Sequence, residues 1–203
     1  MSTINHAVWK GLCLLPLWFL ATGHAQAQTV DRPAIKVGDR WKYEQRDSYT
    51  NQVTGQREII ITAVSEARIE ATDNGGKAIY SPDMNPEETP ESRFEPTAAA
   101  LRFPFSKGDK WSWNGKVHLK ATGMMLTNQY EMTVNGQESV TVKAGSFDTY
   151  KLVMQGYINT DRSSRPFTRT YWYAPSARGF VRIVNEDRAS PWQMELQELA
   201  LTQ

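Results

Sequence analysis

The residues able to do chemistry in this chain are few, and their types narrow what that chemistry can be. Of 203 residues, three are His and one is Cys. Residues 1–27 read as a secretion signal whose removal takes away Cys13, His6 and His24 and leaves His118 alone. A cysteine nucleophile is then impossible, and so is a zinc or copper site built on His and Cys. A Ser-His-Asp triad would have to use His118, which falls between Lys116 and Lys120 on the polar side of an alternating segment and reads as a surface histidine. The chain carries no Gly-x-Ser-x-Gly elbow, phosphate loop or dinucleotide fingerprint. Asp73-Asn74-Gly75-Gly76 is too short and too turn-like for a calcium loop. The expectation is a protein with no catalytic residue, no metal and no cofactor.

Two carboxylates remain as candidates for acid–base work. The pattern apolar-x-x-Gly-Asp-basic-Trp-x-aromatic occurs at 35–43 and again at 105–113. In each copy Gly tolerates positive φ and Asp bonds its own backbone, so a turn accounts for Asp39 and Asp109 without catalysis. A carboxylate-based hydrolase on this pair is the remote reading, since nothing in the sequence places the two within reach of one bond. The Trp two residues on should enter a sheet facing inward, and two copies suggest two weakly repeated halves that begin with equivalent strands.

Aromatic and guanidinium groups are the other lead: Trp41, Tyr43, Trp111, Trp113, Tyr171 and Tyr173, with Arg169, Arg178 and Arg182. Strand alternation puts Tyr171 and Tyr173 on one face and Trp172 on the other. Core packing accounts for the rings. The functional reading is an apolar or glycan-stacking groove with arginines on its rim for an anionic head group.

The elements that must position these residues follow from the rest of the chain. One cation before an apolar run from Gly11 to Ala21, then Ala25-Gln26-Ala27, predicts cleavage after Ala27. The run is about half the length that crosses a membrane, so no integral span is expected in the mature chain and the location expected is periplasmic or secreted. Without the signal, 22 basic residues face 22 acidic ones. That balance leaves no electrostatic footprint for nucleic acid. With no cysteine left, the core must hold the fold without disulfides.

Residues 28–203 are read as a single β domain. Turn signals recur every eight to twelve or so residues between alternating segments, and no segment sustains a helical period. Asn74-Gly75 supplies the positive φ values of a tight hairpin. The pattern predicts an all-β, antiparallel, strongly curved sheet, a sandwich or open barrel, of about ten strands. Its halves, 33–80 and 103–203, are joined by a loop over 81–97 in which Pro82, Pro86, Pro90 and Pro96 deny a strand its donors. That acidic loop is either a solvated linker or a lid over the basic stretch 151–188.

In the second half the residues become recognisable. Val140-Thr141-Val142-Lys143-Ala144-Gly145-Ser146-Phe147, then Trp172-Tyr173-Ala174-Pro175, then Gly179-Phe180-Val181 resemble a widespread group of exported bacterial β-proteins of unknown function. Their motifs are Gly-x-x-Trp, Val-x-Ala-Gly-x-Phe and Trp-Tyr-Ala-Pro-x-x-Gly-x-Val. The resemblance runs from Gly108 to Val184 and departs from the usual form at Lys143 and Arg178. It implies an architecture and no catalytic residues. The function expected is a non-enzymatic periplasmic β-domain that binds an amphiphilic or envelope-derived ligand in a concave sheet. The alternative is an assembly module that pairs by a sheet edge with an envelope protein.

Overall fold

The computed structural model describes residues 29–187 and 190–203. The expected signal segment, its Cys13, the cut after Ala27 and Arg188 lie outside the described residues.

Twelve antiparallel strands close into one barrel. They are β1 (Arg40–Asp47), β2 (Val53–Val64), β3 (Ile69–Asp73), β4 (Gly76–Tyr80), β5 (Pro86–Glu88), β6 (Ser92–Glu95), β7 (Lys110–Leu119), β8 (Met125–Val142), β9 (Gly145–Asn159), β10 (Ser164–Ala174), β11 (Gly179–Asn185) and β12 (Trp192–Ala200). Each strand pairs with its neighbours in sequence, and β1 with β12 closes the ring. Alternate residues point inward, as a closed sheet requires: Trp41 and Tyr43 on β1, Trp111 and Trp113 on β7, Tyr130 and Met132 on β8, Tyr171 and Tyr173 on β10.

The expected all-β, antiparallel, strongly curved sheet is borne out as a barrel, which closes fully and has twelve strands where about ten were expected. The additional strands, β5 and β6, come from the segment 81–97 that its prolines predict to be a loop. The prolines do restrict the ladder: β5 pairs with β6 through Glu88 and Arg93, and β4 with β5 through two pairs. Glu88 and Ser92–Glu95 still supply enough donors to carry the wall from β4 to β7. The segment is no lid over 151–188. Its acids meet Arg32, Arg93, His118 and Lys120 instead.

Asn135-Gly136 looks like a turn in sequence but is a bulge within β8, where Gly136 takes φ 152°. The chain reverses later, after Val142. That lengthens the β8–β9 hairpin, whose tip donates from the Ala144 amide to the Leu196 carbonyl. There β11 and β12 have parted, being paired only over Arg182–Asn185 and Trp192–Glu195.

The two ends of the barrel differ. Five short connections, 48–52, 74–75, 89–91, 120–124 and 160–163, lie at one end, here called the mouth, together with residues 186–187 and 190–191 between β11 and β12. At the other end, the floor, the chain from β6 to β7 turns inward. Leu101 and Phe105 are buried, and Phe103 and Phe105 pack their rings on Tyr173, with Phe105 also against Tyr150. A barrel this wide has more interior than its wall side chains can fill, and this inward segment occupies the floor half of the space.

Candidate internal cavity

The rest of the interior stays open as a cavity of about 560 Å³ that runs from the mouth down to Trp41 and Arg178, inside the usual size range of small-molecule sites. Its lining is mostly apolar and aromatic, including Trp41, Ile59, Phe94, Trp113, Met154 and Phe180. The lining also reaches Gln56, Asn74 and Glu91, which are exposed, so the cavity opens at the mouth. Of seven large apolar side chains left exposed among the described residues, five lie on that end: Tyr49, Val53, Met124, Met125 and Tyr157.

Of the nine residues singled out from sequence, six line the cavity: Trp41, Tyr43, Trp113, Tyr171, Arg169 and Arg178. The other three are elsewhere. Trp111 and Tyr173 are buried against the floor segment. Arg182 faces outward, paired to Glu195 and stacked over Trp172. Alternation along β10 accounts for the difference between Trp172, outside, and its inward neighbours.

Several indole and phenol tips are engaged with backbone. Trp111 Nε1 donates to the Ala99 carbonyl at 2.7 Å and Trp113 Nε1 to the Thr97 carbonyl at 2.8 Å. The Ala99 amide in turn donates to the Tyr130 hydroxyl at 2.9 Å. These three side chains fix the floor segment, whose polar backbone would otherwise be stranded inside the barrel. Trp41 Nε1 donates to the Ala177 carbonyl, and the Tyr43 hydroxyl to the Phe180 carbonyl at 2.9 Å. The second bond satisfies a β11 carbonyl where β12 has moved away. The rings therefore give the cavity apolar surface while their polar tips hold the wall and floor in place.

Sequence reasoning missed the charge inside. Arg57 on β2 grips Asp73 on β3 with Nε at 3.1 and 3.0 Å and Nη2 at 2.5 Å. Asp73 is 2% exposed, while Arg57 keeps 34% of its side-chain surface, turned to the cavity it lines. Burial opposes the charge on Arg57, but the hydrogen bonds to Asp73 outweigh it and raise its proton affinity. Tyr80 lies beside this pair. Its hydroxyl has no well-directed hydrogen bond, and burial pushes its pKa up to about 12 against the pull of Arg57. Burial likewise raises Tyr43, Tyr130 and Tyr173. An inward position in strand alternation was the one signal available: Arg57 precedes the apolar Ile59 and Ile61 in step, at the two-residue spacing of one face.

The acid–base candidates from sequence lie outside the cavity. Asp39, fully buried, receives Arg178 Nη1 at 3.0 and 2.8 Å, the Thr202 amide at 2.8 Å and the Lys36 amide at 3.0 Å. Asp109 receives the Ser106 amide at 2.8 Å. Both cap their own turns, and neither borders the cavity. His118 meets Glu95 at 3.3 Å on the surface.

No family model and no curated protein matches the chain. Among solved structures, a protein of Parabacteroides distasonis provisionally described as a lipoprotein superposes with a TM-score of 0.58 at 16% identity, over 84% of this chain and 98% of that one. An exported protein of Bacteroides fragilis, also provisionally assigned and described as having a YmcC-like fold, gives 0.53 at 13% identity, over 84% and 99%. The barrel shares its overall fold with these two proteins. The likeness is one of architecture, shared with bacterial proteins described as exported or as lipoproteins.

Proposed function

We propose that the protein is a non-enzymatic β-barrel of the bacterial periplasm that holds an amphiphilic or envelope-derived ligand inside the barrel. The observation that carries this reading is the cavity, open at one end, walled by aromatic and aliphatic side chains and floored by a chain segment that hydrogen bonds with Trp111, Trp113, Tyr130 and Asn85, whose Nδ2 donates to the Leu101 carbonyl, hold in place. An interior of this kind favours an apolar tail through the area it removes from water, about 25 cal/mol per Å². The exposed apolar rim fits the same use, since a tail entering from a membrane or carrier crosses it.

Binding suits the polar groups better than catalysis does. Asp73 is saturated by Arg57, and Asp39 by Arg178 and backbone. No pair of carboxylates borders the cavity in a dyad, because Glu91 is exposed at the rim and Asp73 is buried beyond Arg57.

The test is native mass spectrometry of the mature protein isolated gently from its own periplasm. A reproducible added mass, lost on extraction with organic solvent, is the expected result. A bare mass, together with no saturable uptake of a neutral fluorescent lipid, overturns the reading.

A second reading, docking to an envelope protein, is favoured by the rim of Tyr49, Val53, Met124, Met125 and Tyr157. It no longer rests on a sheet edge, because ring closure pairs every strand on both sides. Charged substitutions at Met124 and Met125 that abolish a stoichiometric complex while leaving lipid uptake intact would support it.

A further inference from the structure

Among the described residues, five charged side chains border the cavity, and four of them are accounted for. Arg57 and Asp73 neutralise each other. Arg178 turns its Nη1 away to Asp39 and the Thr202 carbonyl. Glu91 is exposed in the turn between β5 and β6. Arg169 is left, half-buried on β10, with no ion pair among the described residues.

Its surroundings hold the guanidinium in one place. Nε donates to Asn185 Oδ1 at 3.2 Å and Nη1 to the Tyr171 hydroxyl at 3.4 Å. Both acceptors are themselves oriented: Asn185 Nδ2 donates to the Ser190 carbonyl at 3.1 Å, and the Tyr171 hydroxyl points its proton at Met154 Sδ. The plane lies over the Trp192 ring at 5.2 Å and near the Phe167 ring at 5.8 Å. Cation–π contacts and two neutral acceptors return part of the cost of desolvating a guanidinium, but they leave its full charge in place. Of five N–H donors, these contacts use two.

We propose that the barrel takes an amphiphile with a single anionic head group, and that Arg169 is the residue that binds that head. The inference rests on the ligand-binding reading above and deepens it. A carboxylate or a phosphate monoester would accept two parallel N–H bonds from the free edge of the guanidinium. A guanidinium without a counter-charge matches an anionic head. The position fits as well. Register puts Arg169 opposite Asn185, and Asn185 opposite Trp192 at the first residue of β12, so the head would sit near the mouth while the tail runs inward past Tyr171, Met154 and Ile59 toward Trp41. A cationic or zwitterionic head would place a second positive charge beside the first.

The experiment displaces a neutral fluorescent lipid from the mature protein with ligands that share one tail: oleate, oleyl phosphate, oleyl alcohol and oleylamine. Oleate or oleyl phosphate is expected to compete at least about tenfold more tightly than the alcohol, and oleylamine more weakly than the alcohol. The stronger of the two anions identifies the source as fatty acid or phospholipid-derived. Arg169→Met should bring the anions to the level of the alcohol measured in the same variant, with Arg182→Met on the outer face as the silent control. Arg169→Lys, which keeps the charge without the fork, should fall between. Equal competition by oleate, oleyl phosphate and oleyl alcohol on the unmodified protein overturns the proposal and leaves the apolar-cavity reading standing, whatever the variants do. Failure of every ligand to compete, with no uptake of the neutral lipid, overturns both.

Discussion

The two halves of the barrel open on the same turn and then use it differently. At 36–39 and at 106–109 the local geometry is the same: Gly38 and Gly108 have φ of 91° and 94°. Asp39 and Asp109 each accept from the amide three residues earlier. Each turn also docks on the next strand, Gly38 to Ile61 and Gly108 to Val134, with the return bonds from Ile61 to Asp39 and from Val134 to Asp109. The surroundings are unlike. Asp109 leads into β7, whose neighbours β6 and β8 adjoin it in sequence. Asp39 leads into β1, whose other neighbour is β12, at the far end of the chain. At that seam Asp39 is fully buried, ion-paired to Arg178 and bonded to the Thr202 amide. The comparison teaches that a carboxylate selected for a turn became the lock of ring closure where sequence-distant strands meet, because long-range pairing carries the larger entropy cost.

The largest effect expected from breaking this comparison is Asp39→Ala against Asp109→Ala. The first leaves the half-buried Arg178 guanidinium without its counter-charge and opens the seam, at about 3 kcal/mol. The second loses one side chain-to-backbone bond near the surface, about 1 kcal/mol. Urea midpoints of the two variants measure the gap, and equal losses would refute the lock. The double change Asp39→Leu with Arg178→Met should recover part of the first loss.

Next in size is Asp73→Asn, which leaves Arg57 without its counter-charge. Because Arg57 keeps contact with the cavity, water can offset part of the penalty, and about 2 kcal/mol is expected in the same assay. The first half would then carry an open cation as the second does, and oleate affinity should rise.

Alkali offers a test without mutation. Tyr80 is held near 12 in the folded protein against an ordinary value of 10. The unfolded chain therefore releases this proton first, and stability present below pH 10 is lost as pH climbs toward 12. Tyr43 in the same half and Tyr130 and Tyr173 in the other act in the same direction. Phenolate absorbance should appear late and together with loss of the barrel's circular dichroism; smooth early titration of every tyrosine would contradict it.

The smallest difference expected is between Gly38→Ala and Gly108→Ala. Both demand a left-handed conformation, at about 1 kcal/mol. At Gly38 a Cβ would also lie 3.0 Å from Thr202 Oγ1, whereas at Gly108 it meets open space. Gly38→Ala should therefore be the more destabilising, by a few tenths of a kcal/mol, in paired thermal melts.

Much of the wall was legible in the sequence because period-2 alternation and the Asn74-Gly75 hairpin are local signals. The paired turns were legible for the same reason, Asp39 and Asp109 each being explained by three neighbouring residues. What stayed hidden depends on which strands meet across the sheet. Nothing near Asp39 in sequence announces Arg178, and nothing near Arg57 announces Asp73, sixteen residues on across a hairpin. The strands β5 and β6 were hidden because prolines weaken local strand signals, while the wall there needs only the few donors that remain. Trp111 and Trp113 carried a true inward signal, but their hydrogen-bond partners belong to a segment whose path into the floor no local pattern encodes.

Closure fixes one more relation. Val30 bridges to Phe105 in the floor segment, and Thr202 bonds to Asp39 at the same end, so the described chain both begins and finishes opposite the mouth. A fusion or surface linkage made at the carboxyl end therefore presents every molecule with its opening turned outward. An immobilised array of this protein would be oriented by its topology, with the cavity of each copy facing the bulk solution.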